Sequence, residues 1–436
     1  MLSIALILSA LLFAQSESTD RLTRTLQVMS SSEVAVTVRA GCARCSWGAE
    51  GREGVALRVS VDGRYSQHLM LTQGEGPADY TIALGRLEAG THQLLVERDP
   101  ALSASGAGPA VITVDKVSEL ARGKSDDYIA WSMAPVIYAR PNTVGKFTDV
   151  PLLMWYEVVP TARGRQFRYS VIFSNEDGGT ATDRLMATWG RTTDIEFVYG
   201  AELDAEGRVI AEEFQGPGHE VPAFKGRHEG AHPLLWVSTD NNMVSESGPT
   251  AIRYAPVPER YDLRDRTREV VMDDHPWTYA ITAAEMTREG KIANDAAAGS
   301  GKIPDLRRYV HVEACTDLQD AAVAFAVQVI DSSGTARWYE SDRGLPEFRI
   351  VRSGCFQAAV PLPETRARIG AIRAVRFRAY PRPPADGRSS RPSVILTRVN
   401  RIFMLDDAYL PGASMFSWIG SQRVPLDGAA IELPFK

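Results

Sequence analysis

Apolar and polar residues alternate with a period of two over most of the chain, the pattern of strands with one buried face. From Glu33 to about Glu119 the runs VAVTVRAG, VALRVSVDGRY, YTIALGRLEAG, THQLLVERD and AVITVDKVSE are cut by turn residues such as Asp62-Gly63 and Ala89-Gly90. Short alternating runs split in this way predict a β-sandwich over 17–120. A polar stretch from Ala121 to Asp127 closes it, and a second sandwich is expected over 128–258, through APVIYARP, DVPLLMWYEVVP, RQFRYSVIF and HPLLWVSTD. The alternation breaks after Pro258. There DDHPWTYAITAAEMTREG predicts a helix, capped at Asp274 or His275, with Pro276 in its first turn and Gly290 past its end. AAAGSGKIP then reads as a linker. From 305 the strands resume, with PRPPADGRSSRP as the longest loop. The expectation is an all-β chain: three tandem jelly-roll-like sandwiches at 17–120, 128–258 and 305–436, joined by a short helical connector over 259–304.

A length of 436 residues exceeds what one core serves, which agrees with several domains. The net charge of −6 is spread over interspersed acids and bases, with no basic stripe, so nucleic acid is not an expected partner. The apolar run from Leu2 to Ala14 is too short to span a bilayer but suits a signal peptide over 1–16, cleaved after Ser16. That predicts a secreted or periplasmic protein. No later segment approaches the ~20 apolar residues of a membrane helix. Four cysteines in an exported chain pair in three ways, and the spacing favours Cys42 with Cys45 and Cys315 with Cys355. The second bridge closes a loop worth up to about 4 kcal/mol in the loop-entropy model. The C-x-x-C of GCARCSW has neither a βαβ context for redox work nor two further zinc ligands nearby, so it reads as a structural staple.

Candidate chemistry concentrates in SNEDGGTATDRLMATWGRTTDIEF, from Ser174 to Phe197. Asp194 and Glu196 are two apart, so on a strand they share one face. Three readings stay open: a solvated sheet face, a site for a divalent cation such as Ca²⁺ or Mg²⁺ with Asp177, Asp194 and Glu196 as ligands, or a catalytic carboxylate pair of Asp194 and Glu196. For glycoside hydrolysis the separation of such a pair, roughly 5 to 10 Å, decides between retention and inversion. Asp183 reads as turn surface. His219, His228 and His232 are candidate neighbours if their loop returns to the strand, and Asn241 and Asn242 suit sugar hydroxyls. His275 and Trp277 stand at a domain junction, where ligand clefts tend to lie. Elbows of the G-x-S-x-G kind, H-E-x-x-H, phosphate loops and dinucleotide fingerprints are missing from the sequence.

The strand order LRVSVDG, LGRLEAGTHQLLVERD and ITVDKVSE resembles galactose-binding-like carbohydrate-binding modules. The resemblance implies a jelly roll that stacks aromatic rings on sugars, with Trp47, Tyr65 and Tyr80 as candidates and His68 as a polar neighbour. In the middle segment APVIYARP, YSVIFSNEDGGT, GRTTDIE and HPLLWVSTDNNMV resemble the necrosis- and ethylene-inducing-like proteins and related vacuolar-sorting-type sandwiches. Gly190, Asp194 and Glu196 match the G-H-R-H-D-W-E run of that family, with Arg191 and Thr193 at its histidines. The likeness implies a divalent cation at a membrane-glycolipid surface, with Asp177 as the earlier acid. Together these readings predict an exported protein that binds glycans or glycolipid headgroups through sandwich loops. The alternative is a carbohydrate-active hydrolase, metal-dependent or not, that uses the carboxylates of the middle domain.

Overall fold

The computed structural model describes residues 18–176, 178–331, 333–363, 371–384 and 391–435. The leader expected at 1–16 and the candidate ligand Asp177 lie outside the described residues. The chain is all-β, with the described strands in six sheets that pair face to face. In the N-terminal part, Ser18–Thr19, Ala110–Ala121, Ser32–Cys42 and Ala78–Leu87 form one sheet, in that order. Arg21–Val28, Gly90–Arg98, Ala56–Val61 and Arg64–Met70 form the other. Val36, Val38, Leu57, Val59, Leu94 and Val96 meet between them, as the alternation of the sequence requires.

The middle part holds a five-stranded sheet in the order Val209–Phe214, Asp194–Asp204, Gly164–Phe173, Pro151–Thr161 and Pro258–Arg260. Against it lies a sheet of shorter strands built on His232–Val237 and Val136–Tyr138. The C-terminal part repeats the two-sheet plan, one sheet centred on Tyr309–Gln319 and Ser393–Phe403, the other on Ala321–Ile330 and Ile372–Pro381. Both cystine pairs favoured by the spacing, Cys42–Cys45 and Cys315–Cys355, are formed.

Helices punctuate this frame: α1 (Asp126–Ser132), α2 (Thr182–Trp189), α3 (Val270–Asp274) and α4 (Trp277–Arg288). The helix read from the sequence is α4, opened at Pro276, and α3 precedes it, ending where the chain turns at His275. Two more occupy stretches read as separator and strand. In α1 the Ser125 side chain accepts a hydrogen bond from the Tyr128 amide, a standard N-cap. Helix α2 ends at Gly190, whose φ of 62° suits a residue without Cβ, and an added Cβ there would lie 3.2 Å from the Ala358 carbonyl carbon.

The connector does not hang between domains. Trp155, Ile172 and Ile195 of the middle sheet, Val271, Tyr279 and Met286 of α3 and α4, and Tyr309 and Phe403 of the last sandwich form one further core. Asp183, read as turn surface, is buried on α2. Its Oδ2 accepts from the amides of Gly299 and Gly301, at 2.8 and 3.3 Å, so it fastens the stretch read as a free linker. Asp183→Ala is expected to lower stability by about 1–2 kcal/mol, the loss of charge-assisted bonds to a partly exposed loop. Limited proteolysis should then cut near 297–302, and an unchanged cleavage pattern would refute the fastening.

Candidate functional site

Strand Asp194–Asp204 pairs with Gly164–Phe173 in antiparallel register, Phe173 opposite Asp194 and Val171 opposite Glu196. The first turns of this strand are not at a solvated edge. Helix α2 leads into it, the segment 263–269 crosses it, and Arg352 and Cys355 of the last sandwich face it. The result is a cleft of about 760 Å³ whose walls carry Arg191, Asp194, Glu196, Gln215, His219 and Asn241, with Trp189 among the few aromatic groups.

Asp194 is 1 % exposed, and its two oxygens face different donors. Asn242 Nδ2 donates to Oδ2 at 3.0 Å, and Arg191 Nη1 lies 3.8 Å from Oδ1. Burial pushes the Asp194 carboxyl well above the usual carboxylate range, with the charges of Glu196 and Glu176 adding to it and Arg191 opposing. Burial also pushes Glu196 up, to about 7, against the pull of Arg191 and Arg268. Glu196 Oε2 accepts from Gln215 Nε2 at 2.9 Å. The two buried carboxyls titrate as a pair, and both are held toward the protonated form.

Of the three ligands expected for a cation, Asp194 and Glu196 line the cleft beside Arg191, and Asp177 lies outside the described residues. Arg191 is buried beside Asp194, where it pairs with Glu269 at 3.0 Å and donates to the Thr193 carbonyl. The fixed guanidinium repels a dication at Asp194. Thr193 donates to the Met272 sulfur, so it faces the connector and not the cleft. Among the described residues no three His, Cys, Asp or Glu side chains group as metal ligands.

The other candidates separate. His219 reaches the cleft, with Nε2 3.3 Å from Asn241 Nδ2. His228 instead meets Glu212 at 2.8 Å. His232 sits between Glu33 of the first sandwich and the Ala134 carbonyl. Asn241 lines the cleft wall. Asn242 is wholly buried beneath it, with Nδ2 donating to Asp194 and to the Asn175 carbonyl, and is not available to a sugar.

The aromatic candidates of the first sandwich are also turned inward. Trp47 is buried, with Nε1 donating to Glu285 of α4 at 2.8 Å, Phe147 edge-on at 6.1 Å and the Arg288 guanidinium over its ring. The Tyr65 hydroxyl lies 2.7 Å from His68 Nδ1, and His68 Nε2 lies 3.1 Å from Asp99. Burial lowers the pKa of His68, and a neutral ring donates from Nε2 to Asp99 and accepts from Tyr65 at Nδ1. Arg253 of the middle part donates its backbone N–H to the same hydroxyl, so this chain of bonds fixes an interface. Tyr80 does line a smaller groove of about 240 Å³, together with Tyr254, His275 and Trp277. His275 is held there by Glu259 at 3.0 Å.

The arginines of the large cleft carried no signal in the sequence, because Arg184, Arg268 and Arg352 lie in three separate segments. No protein-family model matches the chain, and no curated protein does. The resemblance of the middle segment to the necrosis-inducing type therefore has only the residues quoted for it. Among solved structures the chain is similar to a CBM36-1 domain of a multidomain xylanase from the hindgut metagenome of Trinervitermes trinervoides. Identity is 17 % over 24 % of this chain and 74 % of that one, with a TM-score of 0.17. No helix among the described residues is long and apolar enough to cross a membrane.

Proposed function

We propose that the protein is an exported glycan-binding protein whose contact surface is the charged cleft of the middle sandwich, not the aromatic residues of the first one. The observation that carries this is the chemistry of the cleft wall. Pockets of this size, about 300–1,000 Å³, are usually lined by apolar side chains. This one is walled instead by guanidinium, carboxyl, amide and imidazole groups, which together donate and accept as a ring of hydroxyls demands. Trp189 supplies a flat apolar face at the edge. Two disulfides agree with an oxidising compartment.

One observation favours a second reading. With Glu196 pushed to about 7, a proton stands ready in the cleft at neutral pH, as a general acid for glycoside hydrolysis needs. A glycan array and a product-release assay, each run on wild type and on Glu196→Gln, separate the two. The expected result is a bound glycan whose affinity changes by less than about threefold in Glu196→Gln, with no product from either protein. Product release that falls by about 10²–10⁴ in the variant would make hydrolysis the function, and a blank array would sink binding.

A further inference from the structure

Six arginines, Arg168, Arg184, Arg191, Arg266, Arg268 and Arg352, line the one cleft. Two have anionic partners: Arg191 has Glu269 at 3.0 Å and Arg266 has Glu313 at 3.1 Å. Arg352 donates to the Thr188 carbonyl at 2.7 Å and stacks on Trp189 at 5.2 Å, contacts that place it without cancelling its charge. Arg168 lies over the Phe197 ring at 4.8 Å. Arg184 and Arg268 are exposed and join none of the ion pairs among the described residues.

Against these six the cleft carries five acids, Glu157, Glu176, Asp194, Glu196 and Glu269. Glu269 is already used by Arg191. Burial holds Asp194, Glu196 and Glu157 toward the protonated form, against Arg191, Arg168 and Arg268. The surplus is felt on Arg352, pushed down to about 10 by burial, with Arg191 and Arg268 lowering it further and Glu269 alone opposing. Guanidiniums crowd together at such a spot at a cost that a bound oxyanion removes, since each can give it two parallel hydrogen bonds.

We infer that the cleft takes an acidic saccharide, its carboxylate or sulfate group held by Arg268 and Arg352 and its hydroxyls by Gln215, Asn241 and Glu196. The inference rests on the glycan-binding reading and narrows its ligand class. Arg268 is the residue to test, because it is exposed and pairs with no described acid, so Arg268→Gln leaves the fold intact.

Titration calorimetry with trigalacturonate and its methyl ester, and with a sulfated oligosaccharide and its desulfated partner, reads the charge directly. The acid forms are expected to bind about tenfold tighter than their neutral partners at low salt, and to lose that margin in Arg268→Gln. The neutral forms should keep their affinity within about twofold, and raising the salt should narrow the margin in wild type. Equal binding of acid and neutral forms would overturn the inference and leave glycan binding standing. No binding of any of the four would overturn glycan binding itself. Free inorganic sulfate that raises the melting temperature as much as the acidic saccharides would show an anion site without sugar recognition, and would overturn the inference too.

Discussion

Trp47→Ala is expected to lower stability by about 3–5 kcal/mol, the range for truncating a buried large aromatic, while glycan affinity changes by less than about twofold. Trp47 is 3 % exposed and packs into the core of the first sandwich, yet its ring also closes the junction with the connector. It meets Phe147 edge-on and Arg288 over its face, and its indole N–H donates to Glu285. Arg288 itself donates to the Trp47 and Phe147 carbonyls, both at 2.6 Å. Truncation therefore opens a cavity and takes from Glu285 the donor that holds its Oε2. Trp47→Phe, which keeps most of the volume but not the N–H, should recover part of the loss. The midpoint of denaturant unfolding measures this. A variant as stable as wild type that has lost its glycan would return Trp47 to the binding surface.

The same residue shows what a sequence pattern can and cannot carry. Period-two alternation made the sandwiches legible, since a half-buried strand must place its apolar residues on one face. It says which face is apolar, not what covers the polar one. Asp194 and Glu196 share a face of the strand as the spacing implies, but the segment 263–269 and the last sandwich cover that face, and burial is the largest cause that raises their pKa values. Trp47 is joined to Glu285 across 238 residues, a distance over which no local pattern speaks. Helix α2 escaped for a nearer reason. Its N-cap position is Ala181, which offers no side-chain acceptor, so the usual start signal is missing.

Glu285 itself should give the chain a steep pH dependence of stability. It is wholly buried on α4, and burial with the charge of Glu289 pushes it up to about 8 from an ordinary 4.5, against Arg288, Trp47 and Ser174, which pull it down. Below about pH 4.5 the group is protonated whether the chain is folded or not, and contributes nothing. Between about 4.5 and 8 the folded chain holds a proton that the unfolded chain has released, so stability falls as pH rises, by about 1.4 kcal/mol per pH unit. Above 8 both states are charged and the loss, at most about 5 kcal/mol, is complete. Glu285→Gln keeps an oxygen for the Trp47 N–H and removes the titration. The variant is expected to match wild type near pH 5 and to exceed it by several kcal/mol near pH 8.5. Taking the difference between the two proteins isolates Glu285 from Glu196, which titrates in the same window and slopes the same way. Parallel stability profiles for wild type and Glu285→Gln would mean that Glu285 is charged in the folded chain, with Arg288 close enough to hold it so.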